Sequence, residues 1–163
     1  MSLVQETIVR RSRFGDIIME NAELIFERNF AGRKGEYNEK GERYFKVVIP
    51  DAQLAQDLAE EGWNIKVWVP KDPDKAPVHH LQVFVRFDIF PPKVDMITGN
   101  RGNMLTEDNI ANLDRADIKT VDITINPSRW EKNRRSGLKA YLKEGHFVIE
   151  ESPFADKYAD VQW

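Results

Sequence analysis

In the stretch GLKAYLKEGHFVI (residues 137–149), Leu138, Ala140 and Leu142 alternate with Lys139, Tyr141 and Lys143. Successive side chains of an extended strand point to opposite faces. The period therefore puts an apolar stripe on one side and a cation–aromatic–cation stripe on the other. The same two-residue pattern recurs upstream. RYFKVVI (43–49) sets Phe45, Val47 and Ile49 against Tyr44 and Lys46, WNIKVWV (63–69) pairs Lys66 with Trp68, and LQVFVRFDIF (81–90) pairs Phe84 with Arg86. IIMENAELIFER (17–28) reads as one more strand, with Ala22, Leu24 and Phe26 opposite Glu23, Ile25 and Glu27. Further strand-like runs fall at 93–98 and 120–126.

Between the strands, Pro50-Asp51 stops one run and opens a helix. Asp51 suits an N-cap, Leu54, Ala55 and Leu58 form one apolar face, and Gly62 closes the end. Residues 106–113 suggest a short helix or turn. Six or seven strands and one definite helix make a mostly antiparallel β domain, which a small closed or nearly closed barrel would complete by removing exposed strand edges. A Gly-punctuated, charged loop (31–42) and a basic loop (129–136) connect the runs.

The 163 residues suit one domain, and 41% hydrophobic content suffices for a core. With no cysteine, disulfides, thiol chemistry and Cys-ligated metals are excluded. No apolar run approaches the roughly 20 residues that span a bilayer, so the expectation is a soluble, cytoplasmic protein without membrane attachment.

The net charge of −3 hides a strong asymmetry. Residues 28–46 carry +3 and residues 129–143 carry +5, whereas residues 150–163 carry −3. The expected organisation is a folded domain over residues 1–149 followed by a flexible acidic tail over 150–163. An aromatic beside a base on several strand faces is what single-stranded nucleic acid requires. Bases stack on flat rings while Lys and Arg neutralise phosphates. For Trp68 and Phe84 a second arrangement stays open, in which they face a core layer under the helix.

Catalytic signatures are weak. His79-His80 and His146 are the only imidazoles, and adjacent strand positions seldom share a metal. Pro50-Asp51 with Asp117-Ile118-Lys119 imitates a nuclease signature, but the first pair is better read as a strand stop and helix cap. Asp114, Asp117 and Asp122 offer carboxylates that the sequence does not bring together. The expectation is no enzyme, no cofactor and no metal. A metal-dependent nuclease and a virion or host-interaction module that ignores DNA are the alternatives.

Over LIFERNFAGRKGEYNEKGERYFKVVI (24–49), DLAEEGWNIKVW (57–68), the strand at 81–90, VDITINPSRWEKNRRSGLKAYLKEGHFVIEE (121–151) and the acidic tail, the chain resembles the single-stranded DNA-binding proteins of tailed bacteriophages and prophages. The WEKN–RRSGLKAYLK segment is the distinctive part. The resemblance implies an oligonucleotide/oligosaccharide-binding (OB) barrel and binding without strict sequence preference in phage DNA replication or recombination. It also implies a tail that contacts replication partners or competes for the DNA groove. One departure is visible: the helix precedes the third strand, where the simple OB order places it after, so an elaborated barrel is expected. Together these readings assign base stacking to Tyr44, Trp68, Trp130 and Tyr141. Phosphate contacts fall to Arg33, Lys34, Arg43, Lys46, Lys66, Arg134, Arg135, Lys139 and Lys143. Single-stranded DNA is the expected partner, with replication or recombination proteins reached through the tail; a homo-oligomer is compatible with this.

Overall fold

The computed structural model describes residues 6–35, 40–88 and 90–150; the tail beyond Glu150 and the middle of the 31–42 loop lie outside the described residues. The strands are β1 (Ile8–Arg11), β2 (Ile17–Ala22), β3 (Arg43–Ile49), β4 (Ile65–Trp68), β5 (Val78–Val85), β6 (Lys93–Thr98), β7 (Arg101–Leu105), β8 (Ile118–Lys132) and β9 (Arg135–Ile149). One helix, α1 (Ala52–Glu61), and a 3-10 turn at Ile110–Asp114 complete the elements.

All nine strands belong to one sheet, whose main path runs β1-β2-β8-β9-β5-β3. As a ladder it is open, but its ends are tied. Segment 24–29, which follows β2 directly, bridges β3 at Leu24–Val47 and Asn29–Tyr44. The Ile25 and Asn29 N–H groups donate to the Lys46 and Tyr44 carbonyls at 3.0 and 2.8 Å. Five strands (β2, β3, β5, β8 and β9) thereby roll into a mostly β, nearly closed barrel with the parallel pair β5–β9. This is an elaborated OB-type fold. Its helix enters between β3 and β4, before the third barrel strand, as the sequence led us to expect. A β6–β7 hairpin is added between β5 and β8, and β6 pairs in parallel with β9.

The helix ends follow local chemistry. The Asp51 carboxylate accepts from the Gln53 N–H, and Gly62, at φ 113°, closes the C-terminus in a left-handed conformation. Ala55 and Leu58 face the core. Inside the barrel Phe30, Phe45 and Phe147 are fully buried, with ring centroids 5.5–5.6 Å apart.

Several boundaries differ from the sequence reading, each for a physical reason. The strand expected over 17–28 ends at Ala22. Asn21 adopts φ 57° in a bulge and donates its N–H to Asp122 Oδ1 at 2.9 Å. Phe26, at φ 60°, then turns its ring outward. The basic loop expected over 129–136 is itself strand: β8 and β9 continue as a paired ribbon and turn only at Asn133-Arg134. β5 stops at Val85, and β4 spans only Ile65–Trp68. Strands β1 and β7 carried no sequence signal, because both are mostly exposed and lack an apolar alternation.

Asp114 holds two consecutive backbone N–H groups of the long loop after β2. Asp114 accepts from the Phe30 N–H (2.7 Å, Oδ1) and the Ala31 N–H (2.9 Å, Oδ2). Asp114→Ala strands both donors beside the aromatic core. The expected loss is about 1–3 kcal/mol in a urea unfolding titration, and an unchanged midpoint would mean that the anchor carries no stability.

Candidate nucleic-acid interface

Because Phe45, Val47, Val83, Val85, Ala140 and Leu142 point into the core, the residues between them must point out. The register aligns them: Tyr44 stands opposite Phe84 across β3–β5, and Phe84 opposite Tyr141 across β5–β9. An aromatic row thus crosses three adjacent strands. The Phe84 and Tyr141 rings lie 6.2 Å apart. Lys139 Nζ is 4.2 Å from the Phe84 centroid and 5.5 Å from that of Tyr141, and the Arg86 guanidinium is 5.7 Å from the Tyr141 ring. Phe84 is therefore an outward ring, not part of a second core layer.

Arg86 is held by Asp88 through two bonds, of 3.0 and 2.6 Å. Asp88, with a further contribution from Tyr141, raises its pKa, so the guanidinium stays charged. Lys40, Arg43, Phe84, Arg86, Lys139 and Tyr141 line a groove of about 290 Å³, one wall of which is the end of the 31–42 loop.

Trp68 belongs to a second cluster on the outer surface. Its ring meets Phe26 edge-on at 5.7 Å, and Phe26 in turn covers His80 at 5.1 Å. Trp68 remains 45% exposed, and Lys66 pairs in register with His80. Burial, then the nearby Lys46 and Lys66 charges, lowers the His80 pKa. The sequence reading missed Phe26 as an outward ring, because strict alternation with Ala22 and Leu24 put it indoors.

Several expected phosphate ligands already hold internal partners. Lys46 pairs with Glu27 at 3.0 Å, Lys143 with the buried Asp16 at 3.4 Å, and Arg43 with Glu107 at 3.7 Å. Arg43 also donates to the Phe30 carbonyl at 3.0 Å. Arg33 and Lys34 are exposed on the 31–42 loop, where the Arg33 backbone is clipped to the Asn29 side chain.

Trp130, Arg134 and Arg135 lie on the projecting ribbon. Trp130 sits opposite Gly137 and lies over it: a Cβ at 137 would come within 3.0 Å of the indole. Trp130 is thus a ribbon residue, 44% exposed, and not tucked into the core edge.

Three of the four carboxylates singled out for a nuclease reading do structural work. Asp114 and Asp122 accept backbone N–H groups, and Asp51 caps α1. His146 lies between Asp95 (3.0 Å) and Glu144 (2.7 Å). Burial opposes its charged form, but Glu144 and Asp95 outweigh that and raise its pKa.

An OB-type barrel with an aromatic, cation-flanked outer face defines a class of oligonucleotide-binding folds. The chain matches, over residues 6–163, the family described as "Putative phage ssDNA-binding domain", and it belongs to that family. No curated protein matches it in sequence. Among solved structures, the fold is shared with the single-stranded DNA-binding protein from bacteriophage Enc34. That protein in complex with ssDNA superposes with a TM-score of 0.54 at 15% identity, covering 87% of this chain and 90% of that one. A second structure of the Enc34 protein gives 0.54 at 13% identity, covering 92% and 93%. Its C-terminal truncation gives 0.51 at 14%, covering 94% and 100%.

The ribbon tip makes its own prediction. Asn133 and Arg134 have φ of 52° and 67°, the pattern of a two-residue turn that favours Asn-Gly. Arg134→Gly relieves the left-handed strain at the second position. It should raise stability by up to about 1 kcal/mol in chemical denaturation; a destabilised variant would show that the Arg134 side chain supports the turn.

Proposed function

We propose that this protein binds single-stranded DNA with little sequence preference and without catalysis, as part of phage DNA replication or recombination in the host cytoplasm. The observation that carries the reading is the Tyr44–Phe84–Tyr141 row with Lys139 and Arg86 over its rings. Every base has a π-face, so a row of rings accepts any sequence, and cations between the rings meet the phosphates. Trp68 and Trp130 extend the stacking surface. Arg33, Lys34, Lys66, Arg134, Arg135 and Lys143 supply exposed charge, while Arg43 and Lys46 exchange their carboxylate partners for phosphate. The membership of a phage ssDNA-binding family supports this reading. A nuclease is disfavoured by the backbone bonds that occupy Asp114 and Asp122.

The test is a fluorescence titration with an unstructured oligonucleotide at several salt concentrations. Affinity should fall with a log–log slope of about −0.7 per phosphate neutralised. Tyr141→Ala should lose about 1–3 kcal/mol with the fold intact, because the ring is outward. A slope near zero would instead favour a module that ignores DNA. Unfolding of the Tyr141→Ala variant at unchanged intrinsic affinity would mean that the ring serves the core.

The acidic segment 150–163 is part of the same proposal. Its −3 charge competes with phosphate for the basic face and offers a hook to replication or recombination proteins. Deleting it should tighten DNA binding, most at low salt where attraction is least screened, and abolish capture of such partners. Affinity unchanged at every salt concentration would leave only the hook.

A further inference from the structure

We infer a second nucleobase pocket on the far side of Tyr141, an assignment that rests on the single-strand-binding reading above. A concavity of about 620 Å³ lies between Arg86, Phe90 and Pro91 on one side and the root of the β8–β9 ribbon on the other. Phe90 and Pro91 form one wall, and Pro127 and Leu142 stand on the other side. Tyr141 and Arg86 line both this concavity and the 290 Å³ groove, so they form the partition between the two. Phe90 is 87% exposed, an aromatic ring left to solvent at the mouth.

The pocket is built rather than incidental. Asp16, 3% exposed, accepts from Asn126 Nδ2 at 2.9 Å and pairs with Lys143 at 3.4 Å, fixing two of the lining residues. The turn that carries Asp16 lies under Pro127: a Cβ on Gly15 would touch its ring at 3.7 Å. On the opposite wall Asp88 holds Arg86 in place.

The occupant that fits is an unpaired base of the bound strand. The volume falls within the roughly 300–1,000 Å³ of small-ligand sites. Its walls are aromatic, prolyl and aliphatic, suited to a flat ring, and Arg86 and Lys143 supply positive charge at the edges. Continuity decides the identity. A strand stacked on Phe84 and Tyr141 continues past Tyr141 into this space. The phosphate between the two bases then falls at Arg86, the cation common to both concavities. A base can enter only by swinging out of its neighbours' stack. A free base does so readily, whereas a paired one must first break its pairing. The pocket therefore favours single strands over duplex by testing whether a base is free.

Phe90 is outside the core, so Phe90→Ala leaves the fold standing, and the full chain serves for the test. A thymidine oligonucleotide carrying 5-iodouracil is bound, irradiated, and the cross-linked peptides are mapped by mass spectrometry. In parallel, Phe90→Ala and the unaltered protein are titrated with oligothymidine, with an abasic deoxyribose-phosphate polymer of equal length, and with duplex. Cross-links at Phe90 as well as at Tyr141 are expected. The variant should bind oligothymidine at least about fivefold more weakly, bind the abasic polymer unchanged, and show a smaller preference for single strand over duplex. The pocket is overturned if the unaltered protein binds oligothymidine and Tyr141→Ala weakens it, yet Phe90→Ala loses nothing or loses equally on the abasic polymer. Failure of the unaltered protein to bind oligothymidine at all would instead overturn the single-strand reading, and the pocket with it.

Discussion

The contact of Phe30, Phe45 and Phe147 inside the barrel is the constraint on which the outer face depends. The three rings come from the start of the long loop, from β3 and from β9. Each buries enough surface to contribute about 1.5–3 kcal/mol, with about 0.5–1.5 kcal/mol more for each aromatic pair. Once Phe45 is held indoors, the pleat leaves Tyr44 and Lys46 no choice but to point out. The same holds on β9, where buried Ala140 and Leu142 expose Lys139, Tyr141 and Lys143. The aromatic and cationic outer face is thus the reverse side of the core.

The electrostatics follow a related logic. Lys46, Arg86 and Arg43 each stand against an exposed carboxylate, whereas Lys143 is held on the buried Asp16. Pairs near solvent are worth only about 0–1 kcal/mol, so a phosphate can replace the carboxylate at little expense. Such pairing keeps a cation-rich face from repelling itself when empty. It also explains how a chain of net charge −3 presents a basic groove.

Much of this was legible in the sequence. The period-2 runs at 43–49 and 138–143 set the inward and outward residues correctly, and Asp51 and Gly62 marked both helix ends. What failed did so where backbone conformation breaks the period. Left-handed Asn21 and Phe26 ended a strand that the alternation continued. The Asn133-Arg134 turn, lacking the usual glycine, disguised a ribbon as a loop. Barrel closure through 24–29, the neighbouring positions of Phe84 and Tyr141, and the Asp16 anchor depend on contacts distant in sequence, for which a local pattern has no term. Phe90 was read as the end of the 81–90 run, but β5 stops at Val85, so the alternation no longer assigns it a face.

The strand order has a consequence for how the protein is made. Tyr141 reaches Phe84 only because β9 inserts beside β5, and β9 also supplies the partner edge for β6 and β8. A nascent chain that has released β3 and β5 from the ribosome carries Tyr44 and Phe84 but no groove. At about 5–20 residues per second, the wait for β9 lasts several seconds. During that time the β5 edge is open to mispairing, and a chaperone has the opportunity to cover it. The composite groove, with Tyr141 beside Phe84 and Lys139 over both rings, comes into being only when residues 135–149 have been synthesised.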